Sequence, residues 1–536
     1  MSMEIVQTKY GKLRGVLQQA PFQDQVVFKG VPYAQPPVGG LRFAPPVPLQ
    51  PWQGILDCTR EAPAAWQIFL NAQPYESDFF FGGYPDCSED CLYMDITTGA
   101  REAGEKRPVY VWFHGGGLNA GYSYEPEFDG NVLAQKGVIV VSVAQRLNVF
   151  GYLALPQLTA ERGKSGNYGL MDEGMALRWI VENIAAFGGD PEQITVGGQS
   201  GGSLKAGILA SSPVTARLVR RCIAESGLKI GQKFLTQQEA EQQGIEFLKS
   251  CGIDPSISLE ELRQLPTEAF RSKGQKDSYS APGQLVWDGE WVPCLTMREC
   301  LERYAGDVDF LCGTNLGEAD VTAGTSFAGK GKIRTKEEFD SLFREILGDR
   351  YEDFPALAQG EEKSLWKAAR ELASMGLCKT GRTNFSRNLM VDRVFGMQRK
   401  ERGAKGRVYA YLFTRVLPCR REDYGTDRDP ERVMVYHSSE RFYVFASLRD
   451  GVPPVRPWQP EDFDLAEKLS SYWANFIKTG NPNGNDLPDW PQAGDDYGWM
   501  RLDVCLKGEK GLNSTLEKRT EEFVRGEYFA GPSHGK

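Results

Sequence analysis

Histidine is almost missing from this sequence: 536 residues hold three, at positions 114, 437 and 534. That scarcity argues against a metal centre, which needs about four ligands, and it leaves few candidates for a general base. Also absent is any apolar run near the ~18 residues a membrane span requires; the richest stretches, 109–114 and 138–144, are strand-sized. Basic residues are not in excess. Sixty-two Lys and Arg against 71 Asp and Glu leave a net charge of −9, and clusters such as Arg220-Arg221 are short. A nucleic-acid partner is therefore not expected, nor a membrane. The N-terminus has no basic start followed by an apolar stretch, so the expected location is cytoplasmic.

Cysteine is present but unpatterned. Eleven thiols, an odd number, are scattered along the chain, and the Cys87-x3-Cys91 pair has no second pair to complete a site. Buried thiols fit this better than a disulfide framework or zinc. No metal and no organic cofactor is expected.

What the sequence does contain is alternation of two periods. Residues 4 to about 34 alternate polar and apolar positions as an antiparallel β start, and the proline-rich stretch after them reads as a surface loop. Strand-like segments at 109–114, 138–144, 194–198, 222–226, 307–313 and 407–413 then alternate with helical patterns such as 175–184. That order predicts an α/β fold: a large, mostly parallel sheet covered by helices on both faces. The expected organisation is one domain over residues 1–536, with helix-rich insertions at about 232–304 and 336–405 flanking the active site.

Two glycine-rich segments each follow a predicted strand. Gly198-Gln199-Ser200-Gly201-Gly202 fits the G-x-S-x-G turn that lifts a nucleophilic serine clear of a sheet edge. In a chain with 59 glycines the pentapeptide alone means little. His114-Gly115-Gly116-Gly117, directly after a strand, supplies the second element: a loop whose amides can face an oxyanion. A serine needs a base. His114 belongs to that loop and His534 to a polar tail, so His437 is the candidate. The imidazole needs an orienting carboxylate between serine and histidine in chain order; Glu318 and Asp320 both follow a strand in that interval.

At these residues the sequence closely resembles the type-B carboxylesterases, the group containing para-nitrobenzyl esterases and cholinesterases. The matching blocks run in family order over most of the chain: FKGVPYAQPPVGGLRF, SEDCLYMD, VWFHGGGL, AQRLNVFGYL, GNYGLMDEGMALRWIVENIAAFGGDP, GGQSGG, AESG, GTNLGEA, YHSSE and NFIKTGNPN. The resemblance implies an α/β-hydrolase fold and Glu318 as the acid. It implies Gly116, Gly117 and Gly201 as the oxyanion hole, Arg42 and Glu89 as a structural ion pair, Ser226 as a buried polar residue behind the triad, and Glu440 as a polar residue near the site.

The departures are specific. Gln199 stands where the family usually has Glu, and Gly201 where it usually has Ala. Trp66 and Leu262 occupy the usual places of disulfide partners for Cys91 and Cys251, which fits a reducing compartment and leaves the sequons at Asn384 and Asn513 without use. The expected activity is hydrolysis of small or medium neutral carboxylic esters through an acyl-enzyme, by Ser200, His437 and Glu318. Feruloyl or acetyl-sugar esters, amides, carbamates and thioesters stay open as substrates, and a non-catalytic binding homologue is the reading from another class. Leu118 and Asn119 are expected to border the pocket.

Overall fold

The computed structural model describes residues 3–67, 84–271, 285–318, 333, 335–354, 357, 365–378, 388–426, 429–449 and 456–530. Asp320, Asn384 and His534 lie outside the described residues. Two compact units divide the chain: Met1–Leu70, Gly83–Cys222 and Lys233–Ala305 form one; Asn71–Gly82, Ile223–Gln232 and Gly306–Lys536 the other.

The first unit opens antiparallel, as the alternation predicts. β1 (Ile5–Gln7) pairs with β2 (Lys12–Arg14), and only the middle residues, Val6 and Leu13, are buried. β3 (Val16–Leu17) pairs antiparallel with β4 (Val26–Pro32), and β5 (Ile55–Asp57) returns parallel to β2. β6 (Ala64–Ala65) and β7 (Cys87–Ser88) make a short parallel pair. The main strands are β8 (Tyr93–Thr98), β9 (Arg107–Phe113), β10 (Ile139–Val143) and β11 (Gly189–Gln199), in the order β3-β4-β8-β10-β9-β11. Pairing is antiparallel up to β10 and parallel from β10 to β9 and β11. The parallel part is the apolar part: all five residues of β10 are buried, as strands covered on both faces must be.

The proline-rich stretch runs without strand or α-helix and mostly near the surface, as expected, but it turns inward at Arg42–Ala44. Phe43 is fully buried and packs with Phe150 and Phe270 in one aromatic cluster. Burying such a ring stabilises by roughly 2 kcal/mol, enough to pin an otherwise irregular segment inward.

Three helices in the 232–304 stretch, Gln237–Cys251, Leu259–Gln264 and Met297–Tyr304, each begin with a reciprocal cap: Thr236 with Glu239, Ser258 with Glu261, Thr296 with Glu299. The S/T-x-x-E spacing satisfies two of the amides left open at a helix start.

β12 (Arg221–Glu225) contains the point where one unit gives way to the other. The second unit holds β13 (Asp309–Asn315), β14 (Val408–Phe413), β15 (Trp499–Leu502) and β16 (Lys507–Glu509), with only the last pairing antiparallel. Helices Lys336–Leu347, Leu365–Met375 and Leu389–Glu401 fall in the 336–405 stretch. Among the described residues no helix is long and apolar enough to cross a membrane, and no cluster could hold a metal ion.

Candidate active site

Strand register positions the two glycine-rich segments of the first unit. β9 and β11 are parallel with Phe113 opposite Gly198, so the two glycine-rich segments leave neighbouring strands at the same level. Carboxyl ends of parallel strands are where α/β proteins place ligands. β11 ends at Gln199, the helix Gly201–Ala210 begins at once, and Ser200 between them has φ 59° and ψ −116°. A side chain in that region is strained by about 1–3 kcal/mol. The surroundings enforce it: Ser203 Oγ donates to the Ser200 carbonyl at 2.6 Å, and every residue of the helix is buried.

The glycines are there because backbone meets backbone. A Cβ on Gly201 would stand 2.2 Å from the Gly117 carbonyl oxygen, and one on Gly116 (φ 78°) 2.1 Å from that of Ala120. The 115–117 loop therefore lies directly against the turn that carries Ser200. Gln199 is buried, with its side-chain oxygen against Gly115. His114 is buried too, its Nδ1 3.0 Å from the Gly115 carbonyl. Of the two residues expected at a pocket border, Leu118 is buried and Asn119 exposed.

The second unit brings Glu318 and His437 together. His437 Nδ1 lies 2.5 Å from Glu318 Oε2. That oxygen also accepts from Ser226 Oγ at 3.0 Å; the other accepts from the Asn315 amide at 3.1 Å and from the Thr314 hydroxyl. Glu318 is buried, whereas the His437 side chain keeps 13% of its exposure, so the ring can be reached from solvent. The expected Arg42–Glu89 pair, in the first unit, is bidentate at 2.5 and 2.7 Å.

Around Glu318 stands a carboxylate cluster that sequence reasoning largely missed. Asn315 Nδ2 donates to Glu440 Oε2 at 2.5 Å and to the Tyr436 carbonyl at 2.9 Å, tying the loop before His437 to the end of β13. Burial, with the charge of Glu318, pushes Glu440 up to about 7. Glu225 is raised well above the usual range by burial and by Glu440, against the Trp473 indole that donates to it at 2.9 Å. Asp392 is pushed up to about 8 by burial, opposed by the Cys312 thiol and reinforced by Glu318. Only Glu440 had been singled out from sequence. Glu225 stood in plain view in AESG, whereas nothing in one sequence marks Asp392 as buried.

A strained serine at the carboxyl end of an interior strand, a glycine loop against it and a carboxylate-bound histidine are the parts of a serine hydrolase of the α/β-hydrolase class. Comparison narrows the class. The carboxylesterase family profile matches residues 2–520. Liver carboxylesterase of Sus scrofa is 31% identical over 95% of this chain and 91% of that protein. The medium-chain fatty acyl-CoA hydrolase precursor of Anas platyrhynchos is 30% identical over 97% and 91%. Among solved structures, a PNB esterase superposes with TM-score 0.74 at 27% identity, covering 99% of this chain and all of that one. Carboxylesterase EST55 of Geobacillus stearothermophilus gives 0.73 at 29%, covering 96% and 99%. The chain belongs to the carboxylesterase family. It is a carboxylic-ester hydrolase with the α/β-hydrolase fold and a large mixed sheet.

Proposed function

We propose that the protein hydrolyses small or medium neutral carboxylic esters through an acyl-enzyme on Ser200. The observation that carries this reading is the His437–Glu318 contact at 2.5 Å, with three further donors fixing the carboxylate. Glu318 holds Nδ1 protonated, which leaves Nε2 as the lone-pair nitrogen that accepts the Ser200 proton. Ser200 Oγ attacks the ester carbonyl, and the amides of Gly116, Gly117 and Gly201 hold the oxyanion. His437 then protonates the departing alcohol. Water, activated by the same nitrogen, releases the acid. Because His437 must be neutral to act, kcat/KM falls as pH drops through the histidine range.

Thioesters lie within reach of this chemistry, and one relative is named a fatty acyl-CoA hydrolase. The test is a panel of para-nitrophenyl esters of increasing acyl length, with aryl and sugar esters and a medium-chain acyl-CoA, on wild type and Ser200→Ala. Turnover of short neutral esters that vanishes in the variant supports the reading; equal activity in the two proteins refutes it.

We also propose a cytoplasmic location. Trp66 and Leu262, where the family usually has half-cystines, pack into the aromatic-rich core cluster that also holds Cys251. Thiol titration of denatured, unreduced protein should return all eleven cysteines; a lower count would refute a reducing compartment.

A further inference from the structure

Inside the first unit, on the helix Tyr168–Asn183, lies a cleft of about 830 Å³ including its open mouth. None of its lining residues belongs to the candidate active site. Tyr168, Met171 and Met175 form an apolar floor on one face of that helix, Pro45 and Pro46 one wall, and Trp291 another.

The helix is shaped to seat the indole. Gly174 lies in its interior, where glycine costs roughly 1 kcal/mol relative to alanine. A Cβ there would stand 2.1 Å from the Trp291 ring. One turn on, the Arg178 guanidinium carbon lies 5.7 Å from the centre of the same ring.

Charge makes the cleft selective. Lys164 at the rim is paired with Glu290 at 2.6 Å, and Arg162 with Glu161 at 3.1 Å, a carboxylate that Arg263 also holds. Arg178 has no carboxylate partner among the described residues. A net charge of −9 repels anions in general, so a cleft whose described lining residues hold three cations and one carboxylate runs against the field of the whole protein. The indole lies within cation–π range of the guanidinium, whose N–H groups match a carboxylate in bidentate geometry. Tryptophan, methionine and proline beside it suit an apolar body.

We infer that this cleft is a second ligand site, taking a small organic carboxylate with an alkyl or aryl body. That is the chemical class ester hydrolysis releases, so the site can sense product. The link to product rests on the hydrolase reading; the site itself stands on its own geometry.

The test is calorimetric titration with hexanoate and phenylacetate, with hexanol and sodium sulfate as the neutral and inorganic probes. Protein phosphonylated at Ser200 is used, so that acid cannot enter as product. Saturable one-to-one binding of both carboxylates, with neither hexanol nor sulfate bound, is expected. Affinity should fall about tenfold or more in Arg178→Gln, and less in Arg178→Lys. Trp291→Leu should weaken it too, provided its thermal unfolding matches wild type. Arg178 is exposed, so its variants keep the fold and decide the matter alone. No saturable binding, sulfate binding as well as hexanoate, or an unchanged Kd in Arg178→Gln would each overturn the site. Failure of Ser200 to phosphonylate bears on the nucleophile instead, and the same Arg178 comparison on untreated protein still reads the cleft.

Discussion

The candidate residues in the two units are of opposite kinds. The first contributes backbone: a strained serine, a loop of glycines, and close contacts where any Cβ would collide. The second holds carboxyl groups: Glu318, Glu440, Glu225 and Asp392, all buried, three of them keeping a proton to higher pH than an ordinary carboxyl. A backbone site is fixed by shape and indifferent to pH. A carboxylate site is fixed by hydrogen bonds and changes with each proton. The difference teaches what each set of residues is sensitive to: the glycine-rich turn to added volume, the Glu318 cluster to added or removed charge.

The contrast breaks most visibly at Glu318. Glu318→Gln keeps volume and removes charge, so kcat/KM for a para-nitrophenyl ester should fall on the order of 10³–10⁴-fold. A loss under tenfold would mean shape alone suffices there.

The first unit also holds buried charge pairs, among them Arg146 with Asp172 at 2.6 Å and Lys205 with Glu173 at 3.1 Å, the last without exposure on either side and with its lysine on the helix that follows Ser200. Burial pushes Glu173 up to about 7 despite the ammonium beside it. Lys205→Met should destabilise by about 3 kcal/mol in urea unfolding, and adding Glu173→Leu should restore most of it, since breaking such a pair is worse than replacing it. Equal stability of the single variant and wild type would show that the pair is not buried as described.

Asp392 gives the second unit a pH signature. Its folded acidity near 8 lies above an ordinary carboxyl's, so between about pH 4 and 8 the folded state keeps a proton that the unfolded chain releases. Its contribution is full at low pH and lost as pH rises through about 8. Asp392→Asn should flatten that fall, gaining a few kcal/mol over wild type at pH 9 and little at pH 5. Parallel urea midpoints at the two pH values would contradict it.

The smallest effect belongs to Gln199, buried against the glycine loop. Gln199→Glu should raise the ratio of choline-ester to neutral-ester turnover by a few fold, as one added charge near a cationic substrate can. An unchanged ratio would remove Gln199 from specificity.

Legibility follows the same division. Glycine at Gly116 and Gly201 is a residue type that announces backbone crowding, so the sequence marks the turn around Ser200 plainly. His437 could be reached because only three histidines exist. Glu318 could be separated from Asp320 only by resemblance, because an acid in a loop carries no sign of whether four donors will surround it. Asn315 and Asp392 stayed hidden for the same reason: burial of a polar group is decided by distant packing. Phe43 erred in the other direction, its prolines suggesting surface while its ring filled a cluster with Phe150 and Phe270.

The central proposal is that Ser200 and His437 act as a single catalytic device. A double-mutant cycle on Ser200→Ala and His437→Ala, read as kcat/KM for a short para-nitrophenyl ester, tests it most directly. Each single variant should lose on the order of 10⁴-fold or more, and the double variant should be no worse than the poorer single one. Losses that multiply, or either single variant within tenfold of wild type, would contradict it.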